Sequence, residues 1–429
     1  MSTHFGTMTA SVNMPEPARD ALNIFPIVIN DGIQYASTLG AAWASGRVNL
    51  IGEHTDYNDG YVLPIAIDRV VVFAGQARSD GIVRLWSTHF QAYAQFSLEG
   101  LPETFEQQSH ILPAWARYIL GVIAELTRAG AVLRGFDAVV HGDVPVGGGM
   151  SSSAAIEVAT AQACMLFSNG RFTIGTEGTT LTPLEVAALC QRAEHIASGV
   201  RSGILDQAAS CLGRPGQAIL LDCRSLEYRY LPFDAPGLSL LVIDTGVRRE
   251  LANSAYNERR RQCEEAAQMF HDIIVQQDQA GHTIHALRDV TREQFARYGS
   301  QLPDLLRRRA GYVIAEDARV LSAAKLLDEG LIEQVGPLLW QSHAGLRDEY
   351  EVSSVELDTL VEIAWQVPGV LGARMMGGGF GGCTINLVHN EAIEALSQAV
   401  DREYPARTGL QASIDICRAG SGPGNAWSG

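Results

Sequence analysis

The chain has 429 residues, long enough for two domains, and with 46% hydrophobic and 19% charged side chains it should bury a real core. Its net charge of −16 argues against a nucleic-acid or anionic-membrane partner; an anionic ligand would need local positive potential, for which Arg47 and backbone amides are candidates. Lysine occurs once, at Lys325 within Ala-Ala-Lys-Leu-Leu, so a Walker A loop is excluded, and the Val-Ala-Ile-Lys and His-Arg-Asp set of protein kinases is absent too.

Residues 1 to about 20 are polar and are expected to be frayed. Strand-like and turn-like pieces alternate from about Tyr35 to His89, including Val70 to Phe73. Leu112 to Thr127 reads as an amphipathic helix and Phe136 to His141 as a strand. A Gly-rich loop follows, then a helix over Ser151 to Leu166. Thr182-Pro183-Leu184-Glu185 is a complete helix start: Thr182 can cap, Pro183 suits the first turn, and Glu185 holds the capping-box position. That helix should stop at Gly199. Ala218 to Asp222 and Leu238 to Ile243 read as strands, the chain is then largely helical to about residue 362, and a strand on either side of the glycine run at 377 closes it. The expected organisation is α+β, with domains over 1–230 and 231–429.

No stretch reaches the roughly 18 apolar residues of a membrane span, and no early segment reads as a secretion signal. The cysteines, from Cys164 to Cys417, are odd in number and scattered, without a CxxC pair, so neither a disulfide framework nor a zinc site is indicated. A reduced cytoplasm is the expected setting.

Three segments carry chemistry. In Gly46-Arg47-Val48-Asn49-Leu50-Ile51-Gly52-Glu53-His54-Thr55-Asp56-Tyr57-Asn58-Asp59-Gly60, an apolar run feeds into side chains able to hydrogen-bond a molecule covered in hydroxyls. In Val144-Pro145-Val146-Gly147-Gly148-Gly149-Met150-Ser151-Ser152-Ser153-Ala154-Ala155, glycines let the backbone approach a ligand, the following helix start favours phosphate, and three serines offer hydroxyls. Ala373-Arg374-Met375-Met376-Gly377-Gly378-Gly379-Phe380-Gly381-Gly382-Cys383 requires special backbone angles or close approach.

The first segment closely resembles the signature of galactokinases, the sugar-phosphorylating branch of the GHMP kinases, and the other two resemble the second and third motifs of that family, in order. With Ser198-Gly199-Val200-Arg201-Ser202-Gly203-Ile204-Leu205-Asp206-Gln207, the resemblance runs from about residue 40 to residue 388. It implies the two-domain GHMP kinase fold, mixed sheets with packed helices and an active site in the interdomain cleft. The implied reaction is ATP-dependent phosphorylation of D-galactose at its anomeric C1 hydroxyl, with MgATP as co-substrate. Sister activities on N-acetylgalactosamine or L-arabinose, or a non-catalytic galactose/ATP sensor, are the alternatives, and a monomer or weak homo-oligomer is expected.

Carried over residue by residue, Asp206 is the candidate base and Arg47 its partner. Alone, Asp206 would read as a helix N-cap. Glu53, His54, Asp56, Gly203 and Tyr256 match sugar-contacting positions. Gly147, Gly148, Gly149, Ser151, Ser152 and Ser153 match the phosphate cradle, and Trp115 and Tyr118 the adenine pocket, although the pair could equally be core packing. Ser152 and Glu194 match the Mg²⁺ ligands, hard oxygen donors suited to that ion. Three departures stand out: Ser45 where relatives have Pro, Leu120 where they often carry a basic residue, and Met376 where they usually have Thr. His343 reads as a packed or capping residue.

Overall fold

The computed structural model describes residues 14–29, 38–168, 181–234, 236–247, 252–278 and 283–427. Helix α1 (Glu16–Val28) precedes strands β1 (Gly40–Asn49), β2 (Tyr61–Val62), β3 (Pro64–Ala77), β4 (Ile82–Ser87) and β5 (Ala92–Ser97). Next come α2 (Phe105–Ser109), α3 (Ala114–Arg128), β6 (Phe136–Gly142), α4 (Ser152–Phe167), α5 (Pro183–Ser198) and α6 (Leu205–Leu212). Strands β7 (Gln217–Asp222), β8 (Tyr228–Pro232) and β9 (Leu238–Asp244) lead into the helical stretch α7 (Ala252–Asp278), α8 (Arg292–Tyr298), α9 (Asp304–Asp328), α10 (Gly336–Asp348) and α11 (Val355–Gln366). The chain ends with β10 (Val370–Met376), β11 (Cys383–His389), α12 (Ile393–Thr408), β12 (Ser413–Cys417) and β13 (Gly424–Trp427).

A six-stranded sheet in the order β13-β1-β3-β6-β4-β5 dominates the first half, and a four-stranded sheet, β10-β11-β9-β12, the second; β2-β7-β8 form a third. This is the α+β arrangement expected. Strand β1 is buried along its whole length, which explains its run of small and apolar residues. Its pairing with β3 shifts register between Ser45 and Arg47. Such a bulge re-aims a side chain near a strand end, and here that side chain is Arg47. Helix α4 is buried on nearly every side. Helix α5 has the full Thr182–Glu185 capping box and a left-handed Gly199 at its end; caps of this kind contribute about 1 kcal/mol.

Two stretches differ from expectation. The segment expected to be frayed contains α1 from Glu16 onward, because Ala18, Ala21 and Phe25 recur on one face and bury it against the large sheet. Residues 1–13 lie outside the described residues. The chain also does not close after β11. Helix α12 buries Leu396, Ala399, Val400 and Tyr404, and the Gly/Ser-rich tail supplies β13, antiparallel to β1 through Ala41↔Ala426 and Ala42↔Asn425. Ser45 Oγ donates to Ser421 O at 2.6 Å. The end of the chain therefore completes the sheet of its beginning. Val320, Ala323 and Leu327 of α9 likewise join the main core of the first half.

Candidate active site

At the bulge, Arg47 is pulled in by three acceptors. Its Nε and Nη2 donate to Asp206 Oδ1 and Oδ2 at 2.6 and 2.7 Å, and its Nη1 donates to Gly149 O at 2.6 Å. This is a bidentate, charge-assisted pair between residues 159 positions apart. Arg47 is 5% exposed, while the Asp206 side chain keeps 29% exposure toward the cleft, so the pair is desolvated on its arginine side. Asp206 sits in the first turn of α6, where the helix dipole favours a carboxylate. The Ser151 hydroxyl also donates to Asp206 Oδ2. Arg47 N–H donates to Met150 O at 3.1 Å, which ties the phosphate loop to β1.

Beside this pair lies a cavity of about 280 Å³, lined by Glu53, His54, Asp56, Gly203, Asp206 and Tyr256 among others. All five sugar-contact candidates therefore meet at Arg47 and Asp206. Gly203 is needed sterically: a Cβ there would lie 2.0 Å from Asp56 Oδ2. Burial, reinforced by the charge of Asp206, pushes the Asp56 carboxyl up to about 7. Burial lowers His54 to about 3, so its imidazole is neutral, with Nδ1 2.8 Å from the Tyr57 hydroxyl.

Glu53 has a different setting. It is buried, accepts from Asn49 Nδ2 at 2.9 Å, from Arg374 Nη1 at 3.0 Å and from Gly377 N–H at 2.9 Å. Arg374, fully buried, also donates to Leu50 O, Asn49 O and Met375 O. These two side chains clasp the third glycine loop onto the end of β1. Sequence reading gave Arg374 no role; the signal was an arginine placed inside an apolar strand.

Gly147, Gly149, Ser151, Ser152 and Ser153 line a second cavity that shares Arg47 and Asp206 with the first and is bounded opposite by Gly377 to Gly382. A third, mostly apolar cavity of about 370 Å³ shares Gly147, Ser152 and Ser153 with the second and holds Trp115, Tyr118, Phe90 and His89. The Phe90 and Trp115 rings are near parallel, 6.2 Å apart. The three spaces make one continuous cleft, and Arg47 is its only lining Arg or Lys among the described residues. Phe90 went unseen in the sequence because it belongs to a short turn between β4 and β5.

Glu194 accepts from Ser202 Oγ at 2.5 Å and from Gln207 Nε2 at 3.1 Å, and burial raises its pKa. Of the phosphate-loop serines, the one hydrogen-bonded to it is Ser153, while Ser152 faces the other two cavities. Gln207 Nε2 also donates at 2.9 Å to Glu157, which is fully buried in α4 and pushed well above the usual carboxylate range by burial. An acid inside so apolar a helix was a signal available in the sequence.

The departures resolve locally. Leu120 is fully buried in the core, so no polar nucleotide contact is lost at that position. Met376 is buried yet lines the second cavity. Ser45 uses its hydroxyl on the tail and its carbonyl to accept from Ser210 Oγ at 2.7 Å. His343 is packed, with Nδ1 accepting from Met375 N–H at 3.3 Å and Nε2 lying 3.2 Å from Asp358 Oδ1.

Family models match at residues 117–214 (GHMP kinases N terminal domain), 323–406 (GHMP kinases C terminal) and 34–77 (galactokinase galactose-binding signature). The solved structure of Methanococcus jannaschii mevalonate kinase shares the fold at a TM-score of 0.62 and 18% identity, covering 90% of this chain and 99% of that one. Fold and site together define a GHMP-type kinase. Galactokinases of Chloroflexus aurantiacus and Clostridium perfringens are 43% and 37% identical to the chain, each over 89% of it and over 92% and 94% of their own length. The crystal structure of Lactococcus lactis galactokinase complexed with galactose is similar at a TM-score of 0.83 and 34% identity, covering 94% of this chain and 98% of that one. The chain belongs to the galactokinase family.

Proposed function

We propose that the cleft catalyses ATP-dependent phosphorylation of D-galactose, the C1 oxygen forming a bond to the γ-phosphorus as the bond to the ADP oxygen breaks. The products are galactose 1-phosphate, ADP and a proton. The observation that carries the reading is the Arg47–Asp206 pair, placed where an acid-lined, hydroxyl-matching cavity meets the glycine–serine cradle. Asp206 orients the C1 hydroxyl and accepts its proton; Arg47 holds the carboxylate and offsets charge on the transferring group. Glu53, His54, Asp56, Gly203 and Tyr256 surround the sugar. Phosphoryl transfer leaves the protein mainly this positioning and electrostatic work.

The cradle has no lysine, and Arg47 is committed to Asp206 and Gly149. The phosphates therefore rest on the amides of Gly147 and Gly149, the start of α4 and the Ser152 and Ser153 hydroxyls, with the base against Trp115, Tyr118 and Phe90; Gly148 lines none of the three cavities and its amide donates to Pro145 O at 3.3 Å, so it shapes the turn instead. Glu194 with the neighbouring serines fits Mg²⁺: a carboxylate and hydroxyl oxygens beside the phosphate cradle in a cleft otherwise rich in acids. Bound there, the ion would neutralise phosphate charge. The reading extends to a cytoplasmic monomer or weak homo-oligomer built from halves 1–230 and 231–429, with β13 returned to the first.

A sugar panel with ADP formation as readout tests it. Galactose is expected to lead N-acetylgalactosamine and L-arabinose. Preference for either of those overturns the substrate, and ADP formation with none of them overturns the enzyme.

A further inference from the structure

The hydroxyl of Ser151 is in an unusual place for a serine that opens a helix. A serine in that position ordinarily has extended backbone and accepts a hydrogen bond from an amide of the first turn. Ser151 does neither: its backbone is left-handed, φ 54° and ψ 54°, and its side chain makes no cap. Within the loop it is the one non-glycine residue among the described residues with positive φ. For a residue with a Cβ that conformation is unfavourable and persists where the surroundings over-determine it. Here Arg47 supplies the constraint, holding Gly149 O with its guanidinium and Met150 O with its amide. The outcome is twofold. The amides at the start of α4 stay uncapped, and the hydroxyl is turned onto Asp206.

The acceptor capacity of Asp206 gives this a consequence. A carboxylate offers about four lone-pair positions. Arg47 Nε occupies one on Oδ1, Arg47 Nη2 one on Oδ2, and the Ser151 hydroxyl the second on Oδ2. Among the described residues, one position is left without a donor, on Oδ1.

We propose that Ser151 is a positioning residue that acts through Asp206 rather than a ligand of the nucleotide phosphates, and that the sugar C1 hydroxyl is received at Asp206 Oδ1. This rests on the galactokinase reading above. Without the Ser151 hydroxyl, Oδ2 regains a free acceptor position, and the sugar hydroxyl has two places to bind, one of them misaligned with the γ-phosphate.

The test compares Ser151→Ala and Ser151→Gly with wild type. Glycine accepts the left-handed backbone freely, so it separates loss of the hydroxyl from strain. Both variants are expected to lose about 10- to 100-fold in kcat, with KM for ATP and for galactose within about threefold of wild type. Affinity for a non-hydrolysable ATP analogue, measured by calorimetry without sugar, should likewise stay within about threefold. A tenfold or greater loss of analogue affinity in either variant would make Ser151 a phosphate ligand and overturn the proposal. So would wild-type turnover in Ser151→Gly. If wild type fails to phosphorylate galactose, the proposed function falls, whereas the analogue measurement still decides what Ser151 does.

Discussion

The two ends of the cleft are built from opposite materials. At the sugar end nearly every side chain is polar and tied to a partner: Arg47 to Asp206, Glu53 to Arg374, Asp56 to the Tyr57 amide, His54 to Tyr57. At the other end, Phe90, Trp115, Val71 and Val140 offer apolar area, and among the described residues no charged pair lines it. Buried polar recognition is steep, because a lost partner leaves its mate unsatisfied at about 1–3 kcal/mol, or more where a charge is involved. Apolar recognition is graded at about 25 cal/mol per Å². Discrimination among hydroxyl patterns is therefore expected to come from the sugar end, and nucleotide affinity to build up in small increments at the base end.

The largest effect that would break this contrast is at Asp206. Asp206→Asn keeps the shape and most hydrogen bonds but removes the proton acceptor. Turnover should fall by about 10³-fold or more, while galactose binding by calorimetry stays close to wild type. Near-normal turnover in that variant would remove Asp206 from the chemistry.

Next is the Glu53–Arg374 clasp. Arg374→Met leaves Glu53 buried beside Asn49 and the Gly377 amide without its cation, at a cost of about 3–5 kcal/mol read as a denaturant midpoint. Adding Glu53→Gln should recover part of that stability and none of the galactose affinity, since Glu53 also lines the sugar cavity. Full recovery of affinity in the double variant would make the clasp purely structural. At the base end, Phe90→Ala should raise KM for ATP by about five- to tenfold, with kcat and melting temperature unchanged, because Phe90 is 47% exposed and holds no core together. A kcat loss there as large as at the sugar end would erase the contrast.

The same difference explains what could be read before the structure. The sugar end was legible because polar residues at the end of an apolar strand demand an explanation, and Arg47, Glu53, Asp56 and Asp206 all meet at one cavity. Spacing alone did not show that Arg47 and Asp206 touch; 159 residues separate them, and the bulge in β1 makes the meeting possible. The base end was half legible: Trp115 and Tyr118 share a helix face, but Phe90 sits in a turn with no periodic pattern around it. Strand β13 has only four residues, two of them Gly424 and Asn425, too little for a strand signal. Pairing with β1, not local propensity, makes it a strand. Missing α1 was avoidable, since Ala18, Ala21 and Phe25 already had helical spacing.

The smallest effect is a pH dependence that sharpens the polar end of the comparison. Asp56 is held at about 7 in the fold against an ordinary 3.8, first by burial and then by the negative charge of Asp206. The folded state thus binds the Asp56 proton more tightly than the unfolded chain does. This contribution to stability is complete below about 4 and is lost as pH rises through about 7. Asp56→Asn does not titrate, so relative to wild type it should be more stabilising at pH 8 than at pH 6, by about 1 kcal/mol in paired denaturant melts. Taking the difference between the two proteins cancels groups that titrate in both. The cause can be separated too. In an Asp206→Asn background the neighbouring charge is gone, so the Asp56 midpoint should move down and the window should narrow from its upper side. An unchanged window would assign the whole shift to burial, and the two carboxylates would then share the sugar cavity without sensing one another.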